Sequence, residues 1–162
     1  IKPAKKGNTK MGYYLKPIGF TGNPFKQGNK LEKNDEIGFG DAAKKLNKGD
    51  ILIYHSVGTG FLVGYCKIIS NKSEFNKLNK DDRWPWKFSV ECNSISFSQE
   101  WWKYEMKTKD LVSKFKELYP NKYITFNGGD TLGALKWGRD RVKLTEEFAT
   151  FLIDKIEEMR KN

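Results

Sequence analysis

Asp50-Ile51-Leu52-Ile53-Tyr54-His55-Ser56-Val57-Gly58-Thr59-Gly60-Phe61-Leu62-Val63-Gly64-Tyr65-Cys66-Lys67-Ile68-Ile69 is the stretch that decides the fold. Ile51–Tyr54 is a short continuous apolar run of strand length, and Phe61–Ile69 is a second strand. Val57-Gly58-Thr59-Gly60 between them is a hairpin signal, because glycine supplies the positive φ that tight turns need. Upstream, Asn47-Lys48-Gly49-Asp50 reads as a turn. Downstream, Trp86-Lys87-Phe88-Ser89-Val90-Glu91-Cys92 alternates, so Trp86, Phe88, Val90 and Cys92 share one face of a third strand. The Ser70–Arg83 segment between these strands is polar, with Phe75 and Leu78 as anchors.

Further out, Met11–Pro17 is a first strand, stopped by Pro17 and Gly19. Thr21–Glu36, rich in Gly, Asn and Lys, is expected to be a long surface loop. Asp41-Ala42-Ala43-Lys44-Lys45-Leu46 suits a short helix with Asp41 as its cap. Ile95-Ser96-Phe97 is expected to be extended. Leu111, Val112, Phe115 and Leu118 give one apolar helical face, ended by Pro120. Tyr123–Phe126 reads as a short strand closed by Asn127-Gly128-Gly129, and Thr131–Trp137 as extended or turn. Arg141–Leu144 precedes Thr145, which caps a final helix with Phe148, Phe151, Leu152, Ile156 and Met159 on one face. Five or six strands with about three helices predict an α+β fold, a small mixed β-barrel flanked by helices.

The length of 162 residues suits one domain, taken as 11–162, behind a flexible basic arm at 1–10. No run approaches the roughly 18 apolar residues that cross a bilayer, so no membrane is expected as partner. The basic leader has no apolar signal region. The chain begins at Ile1 rather than Met, which suggests missing upstream residues or excision from a longer protein. Lys and Arg total 30 against 20 Asp and Glu, a net charge of +10. Such a balance fits a polyanionic partner, since each phosphate neutralised by a cation releases counterions. A merely solvated lysine-rich surface has the same composition.

Two cysteines and one histidine exclude several chemistries. A structural zinc site usually takes four N or S ligands, and there is no Cys-x-x-Cys pair. Cys66 and Cys92 read as buried reduced thiols of a cytoplasmic protein. His55 lacks a nucleophile elbow around it, and no phosphate-binding loop of Walker type is present. No metal or cofactor is expected.

The aromatic residues carry a more specific signal. Phe, Tyr and Trp make up 14% of the chain, and several tryptophans lie among charges. Trp84-Pro85-Trp86 follows Asp81-Asp82-Arg83, Trp101-Trp102 lies between Glu100 and Lys103, and Trp137 lies between Lys136 and Gly138-Arg139. Rings interleaved with cations can hold an unstacked base, the ring by stacking and the cations through flanking phosphates. Core packing explains any one of these tryptophans equally well; the set favours binding.

The order of Tyr13-Tyr14-Leu15, the Asp50–Ser56 strand, Phe61-Leu62-Val63-Gly64, Trp84–Val90, Gly138-Arg139-Asp140 and the helix from Thr145 to Met159 resembles the PUA-like group. More narrowly it resembles EVE and YTH domains, including the modified-base-reading N-terminal domain of McrB-type modification-dependent restriction enzymes. The resemblance implies a reader that flips a modified, usually methylated, base into an aromatic cage. It places Trp84 or Trp86 at the cage position before the third strand, and Phe39 where YTH domains have another cage Trp. Ser56 and His55 would read the base edge. Arg139 matches the family arginine that meets phosphates, with Lys136 and Arg141 beside it.

The expected function is therefore nucleic-acid binding, with DNA favoured and RNA possible, in a chain fused to or acting with an ATPase or nuclease. A protein-interaction module is a further alternative, with the exposed aromatics as its hot spot. An enzyme using Asp81, Asp82 or Asp140 with His55 is the contrasting class; the spacing of these carboxylates gives no octahedral metal set, and the chain is read as a non-enzyme.

Overall fold

A computed structural model describes residues 11–20, 23–24, 26–40, 45–75, 84–130, 132 and 141–160. The expected basic arm at 1–10, most of the short helix at 41–46 and nearly all of the segment Thr131–Trp137 lie outside the described residues. The strands are β1 (Tyr13–Phe20), β2 (Asn23–Pro24), β3 (Asn34–Phe39), β4 (Ile51–Ser56), β5 (Leu62–Ile68), β6 (Glu74–Phe75), β7 (Trp86–Cys92) and β8 (Val142–Lys143). The helices are α1 (Ile95–Ser98), α2 (Trp101–Tyr104), α3 (Thr108–Leu118) and α4 (Glu146–Arg160). The strands form one mixed sheet in the order β2-β1-β4-β5-β7-β3, with β6 added to β7 and β8 to β1. The architecture is α+β, as expected. Its strand number exceeds the expectation because β2, β6 and β8 are two-residue pairings too short to leave a periodic pattern.

β4 is central, parallel to β1 on one side and antiparallel to β5 on the other. Ile51, Leu52, Ile53 and Tyr54 are all buried, so the run is apolar throughout rather than alternating. The hairpin turn has Gly58 at φ 103° and Gly60 at φ 77°, the left-handed geometry its sequence calls for. Gly64, at φ 148°, passes beneath α1; a Cβ there would collide with the hydroxyls of Ser94 and Ser98.

Four expectations are corrected. β1 does not stop at Pro17 but runs to Phe20. The carbonyls of Gly12 and Ile18 accept from Ile51 and Val57 of the β4 side, so the intervening odd residues face away from β4. Pro17 thus lies at the opposite edge, between the β8 pairs at Tyr14 and Leu15 and the β2 pairs at Gly19 and Phe20. Its missing N–H removes no bond to β4. The loop expected over Thr21–Glu36 contains β2 and the start of β3. Among the described residues β3 pairs only with β7, and Asn34, Asp35 and Glu36 are exposed there, which hid the strand behind polar residues. Ile95-Ser96-Phe97 is helical, because the Ser98 amide and hydroxyl both donate to the Ser94 carbonyl at 2.9 Å. Tyr123–Phe126 makes only an isolated bridge, Thr125 to Leu144.

α3 and α4 cover the sheet through a ring cluster in which Phe115 meets Phe148 at 5.2 Å and Phe151 at 5.3 Å. Thr145 starts α4: its Oγ1 accepts from the Phe148 amide at 3.3 Å and donates to the Tyr123 carbonyl at 2.8 Å. Thr145→Ala is therefore expected to cost about 1–2 kcal/mol. Urea denaturation checks this, with Thr145→Ser retaining most of the lost stability.

Candidate nucleic-acid interface

The two ends of the curved sheet, β1 and β3, meet at a seam of rings and cations. Along β1, Tyr14, Lys16 and Ile18 share one face and are buried, as is Leu15 on the other face. Lys16 is only 2% exposed. Its Nζ lies 4.7 Å from the Phe39 ring centroid and 4.6 Å from that of Trp84, so one ammonium bridges two aromatic faces. Arg141, leading into β8, places its Cζ 5.6 Å from the same Phe39 ring. It also acts on Tyr14, whose phenol burial and Asp50 push upward and Arg141 pulls back.

Local sequence explains why Trp84 reaches this seam. Gly38 on β3 leaves room for it: a Cβ at Gly38 would sit 2.5 Å from the Trp84 carbonyl and 2.6 Å from its Cβ. Pro85 follows, and β7 begins at Trp86 directly opposite Phe39. Phe39 is fully buried and meets the edge of Phe88 at 5.7 Å. Trp86 is half-buried and faces Phe75 of β6 at 4.8 Å.

Phe39, Trp84 and Arg141 are thus brought together, with Trp86 in the adjoining strand pair. Ser56 is buried, paired in register with Ile18, two residues along β1 from Lys16. His55 is not with it: consecutive strand residues alternate between faces, and the cleft that His55 lines does not include Ser56. His55 Nδ1 lies 2.8 Å from the Thr108 hydroxyl at the start of α3. It lines a ≈380 Å³ cleft with Pro17, the Val57–Gly60 turn, Lys107 and Lys109. Burial lowers the His55 pKa to about 4. Arg139 and Lys136, like Trp137, lie outside the described residues. Trp101 is core rather than surface: fully buried, it donates from Nε1 to the Asn29 carbonyl at 2.7 Å.

Lys16 was missed by sequence reasoning. Its signal is the spacing Tyr14-Lys16-Ile18, which puts a cation on the same strand face as two apolar side chains. Among the described residues no group of three or more His, Cys, Asp or Glu is placed to hold a metal ion. None of the described helices is long and apolar enough to cross a membrane.

The mixed sheet, the Gly64 crossing under α1 and the C-terminal helix make up an α+β fold. No protein-family model and no characterised protein matches the sequence. Among solved structures the chain is similar to protein Atu2648 from Agrobacterium tumefaciens, with 14% identity, a TM-score of 0.50 and 92% of each chain covered. It is also similar to human THYN1, solved in complex with DNA containing 5-methylcytosine, with 8% identity, a TM-score of 0.49, and 90% of this chain and 98% of that chain covered.

Proposed function

We propose that this chain is a nucleic-acid-binding module that takes a modified base, flipped or unpaired, at the β1–β3 seam. The observation that carries this reading is the cluster of Lys16, Arg141, Phe39 and Trp84. The part-exposed Trp84 ring offers a stacking face to a flat heterocycle, and the Lys16 and Arg141 cations beside it meet its carbonyl edge or the adjoining phosphates. A base entering beside Trp84 displaces the Lys16 ammonium from the ring faces toward the backbone. The net charge of +10 supports the same partner. Arg141 is the proposed phosphate contact, and Arg139 and Lys136 are proposed to extend it. Ser56 remains the proposed base-edge group on the seam's side of the sheet. Binding without catalysis, DNA in preference to RNA, a cytoplasmic location and a targeting role beside an ATPase or nuclease complete the proposal.

The test is binding to matched oligonucleotides, modified and unmodified, single- and double-stranded, DNA and RNA, at several salt concentrations. One modified base is expected to bind about 10–200-fold tighter than its unmodified form, as a methyl group in an apolar pocket allows. Trp84→Ala is expected to weaken that binding by about 1–3 kcal/mol, roughly 5–150-fold, without unfolding the chain. Equal affinity for every modification, or a Trp84→Ala variant that binds like the parent, would sink the proposal. Affinity that does not fall with salt would point instead to a protein partner.

A further inference from the structure

Cys66 of β5 and Cys92 of β7 are direct partners in the register of two antiparallel strands. The flanking hydrogen bonds define the kind of pair. The Asn93 amide donates to the Tyr65 carbonyl at 3.0 Å, while the Cys92 amide turns away to the Lys33 carbonyl at 2.7 Å. Cys66 and Cys92 therefore form a non-hydrogen-bonded pair, the type with Cα atoms about 4.5 Å apart and side chains closest together. That separation falls inside the window of roughly 4.4–6.8 Å that disulfides span. Both thiols are free and buried.

Their surroundings differ from an inert apolar core. Cys92 Sγ lies 3.5 Å from the Ser98 hydroxyl and 3.9 Å from that of Ser94, and the two hydroxyls are 3.2 Å apart. The Cys66 thiol and these hydroxyls stabilise a Cys92 thiolate, the nucleophilic form. Cys66 also lines a ≈180 Å³ cavity together with Ile18 of β1, Ile37 of β3 and Tyr54. A small oxidant entering this cavity meets Cys66 and, at its paired position, the Cys92 sulfur beside it.

We propose that Cys66 and Cys92 are a reversible redox modification site that closes to an intramolecular cross-strand disulfide on reaction with hydrogen peroxide. The Cys92 sulfur attacks one peroxide oxygen, the O–O bond breaks, and hydroxide leaves to become water. The resulting sulfenic acid is attacked by the Cys66 sulfur; the S–O bond breaks and a second water leaves with the Cys66 proton. Two thiols are oxidised and one peroxide is reduced to two waters. The site is independent of the base-reading proposal.

The experiment treats the reduced, folded wild-type protein with a small excess of hydrogen peroxide, then unfolds and alkylates it for intact-mass measurement. The expected product is monomeric, two hydrogens lighter, free of alkyl groups and restored to two alkylatable thiols by dithiothreitol. Digestion is expected to yield a peptide linking Cys66 to Cys92. In Cys66→Ala the reaction is expected to stop at a sulfenic acid on Cys92, trapped by dimedone added as the protein is unfolded. Two alkylated thiols after peroxide, oxidation to sulfinic acid without a bridge, or disulfide-linked dimers would each overturn the assignment. The wild-type measurement decides it even where the variant does not fold.

Discussion

Trp101→Ala is expected to destabilise the fold by about 3–5 kcal/mol, the cost of emptying a fully buried large aromatic site. Trp101 has no exposed surface, and its ring meets Phe61 at 6.3 Å and Trp102 at 5.7 Å. Two losses combine. The side chain leaves a cavity between α2 and the hairpin, and the Asn29 carbonyl loses the indole donor at 2.7 Å. Urea denaturation followed by circular dichroism measures the change, and a loss below about 1 kcal/mol would contradict the packing described. Trp101→Phe is expected to recover much of the ring contact but not the hydrogen bond. The contrast with Trp84→Ala is the informative part: one tryptophan carries stability and the other is expected to carry binding.

Acidification is expected to remove up to about 3 kcal/mol through His55 alone. Its folded pKa, pushed down by burial to about 4, lies below the ordinary value of 6.5. Above pH 6.5 the ring is neutral in both states and the full contribution is present. As pH falls below 6.5 the unfolded chain takes up a proton that the folded chain refuses, so stability drops by about 1.4 kcal/mol per pH unit. The loss reaches about 2 kcal/mol near pH 5 and levels off near pH 4, where the folded ring also protonates. Carboxylates titrate in the lower part of this window, so the decisive quantity is the difference between wild type and His55→Gln. Urea unfolding at pH 7, 6 and 5 is expected to show the steeper slope in the wild type. Parallel slopes would mean that the imidazole is not held neutral against Thr108.

The seam also bears on how binding would be tuned. Lys16 has little freedom beside Pro17 and between two rings, whereas Arg141 reaches Phe39 from the position just before β8. Lys16 is desolvated before a ligand arrives, so part of the cost of burying it is met in folding rather than in binding.

Periodicity and turn chemistry determined a good part of this protein. Glycines at the hairpin, the unbroken apolar run of β4, the alternation of β7 and the capped amphipathic α4 each follow from local backbone preference and burial. Each can be read because the deciding residues are neighbours in the chain. The resemblance carried by the order of these elements implied the wrapped α+β fold. Tertiary structure decided the rest. β3 was hidden because an edge strand with one partner tolerates Asn34, Asp35 and Glu36. Pro17 looked like a stop because the sequence does not show which edge of β1 needs donors. The tryptophans divided into core and seam according to whether α2 or the Gly38 gap received them. His55 and Ser56, adjacent in sequence, were sent to opposite faces by the strand's period of two. Lys16 met Phe39 and Trp84 only because the sheet curls until β1 and β3 touch, and no local pattern encodes a contact between strands that are not hydrogen-bonded to each other.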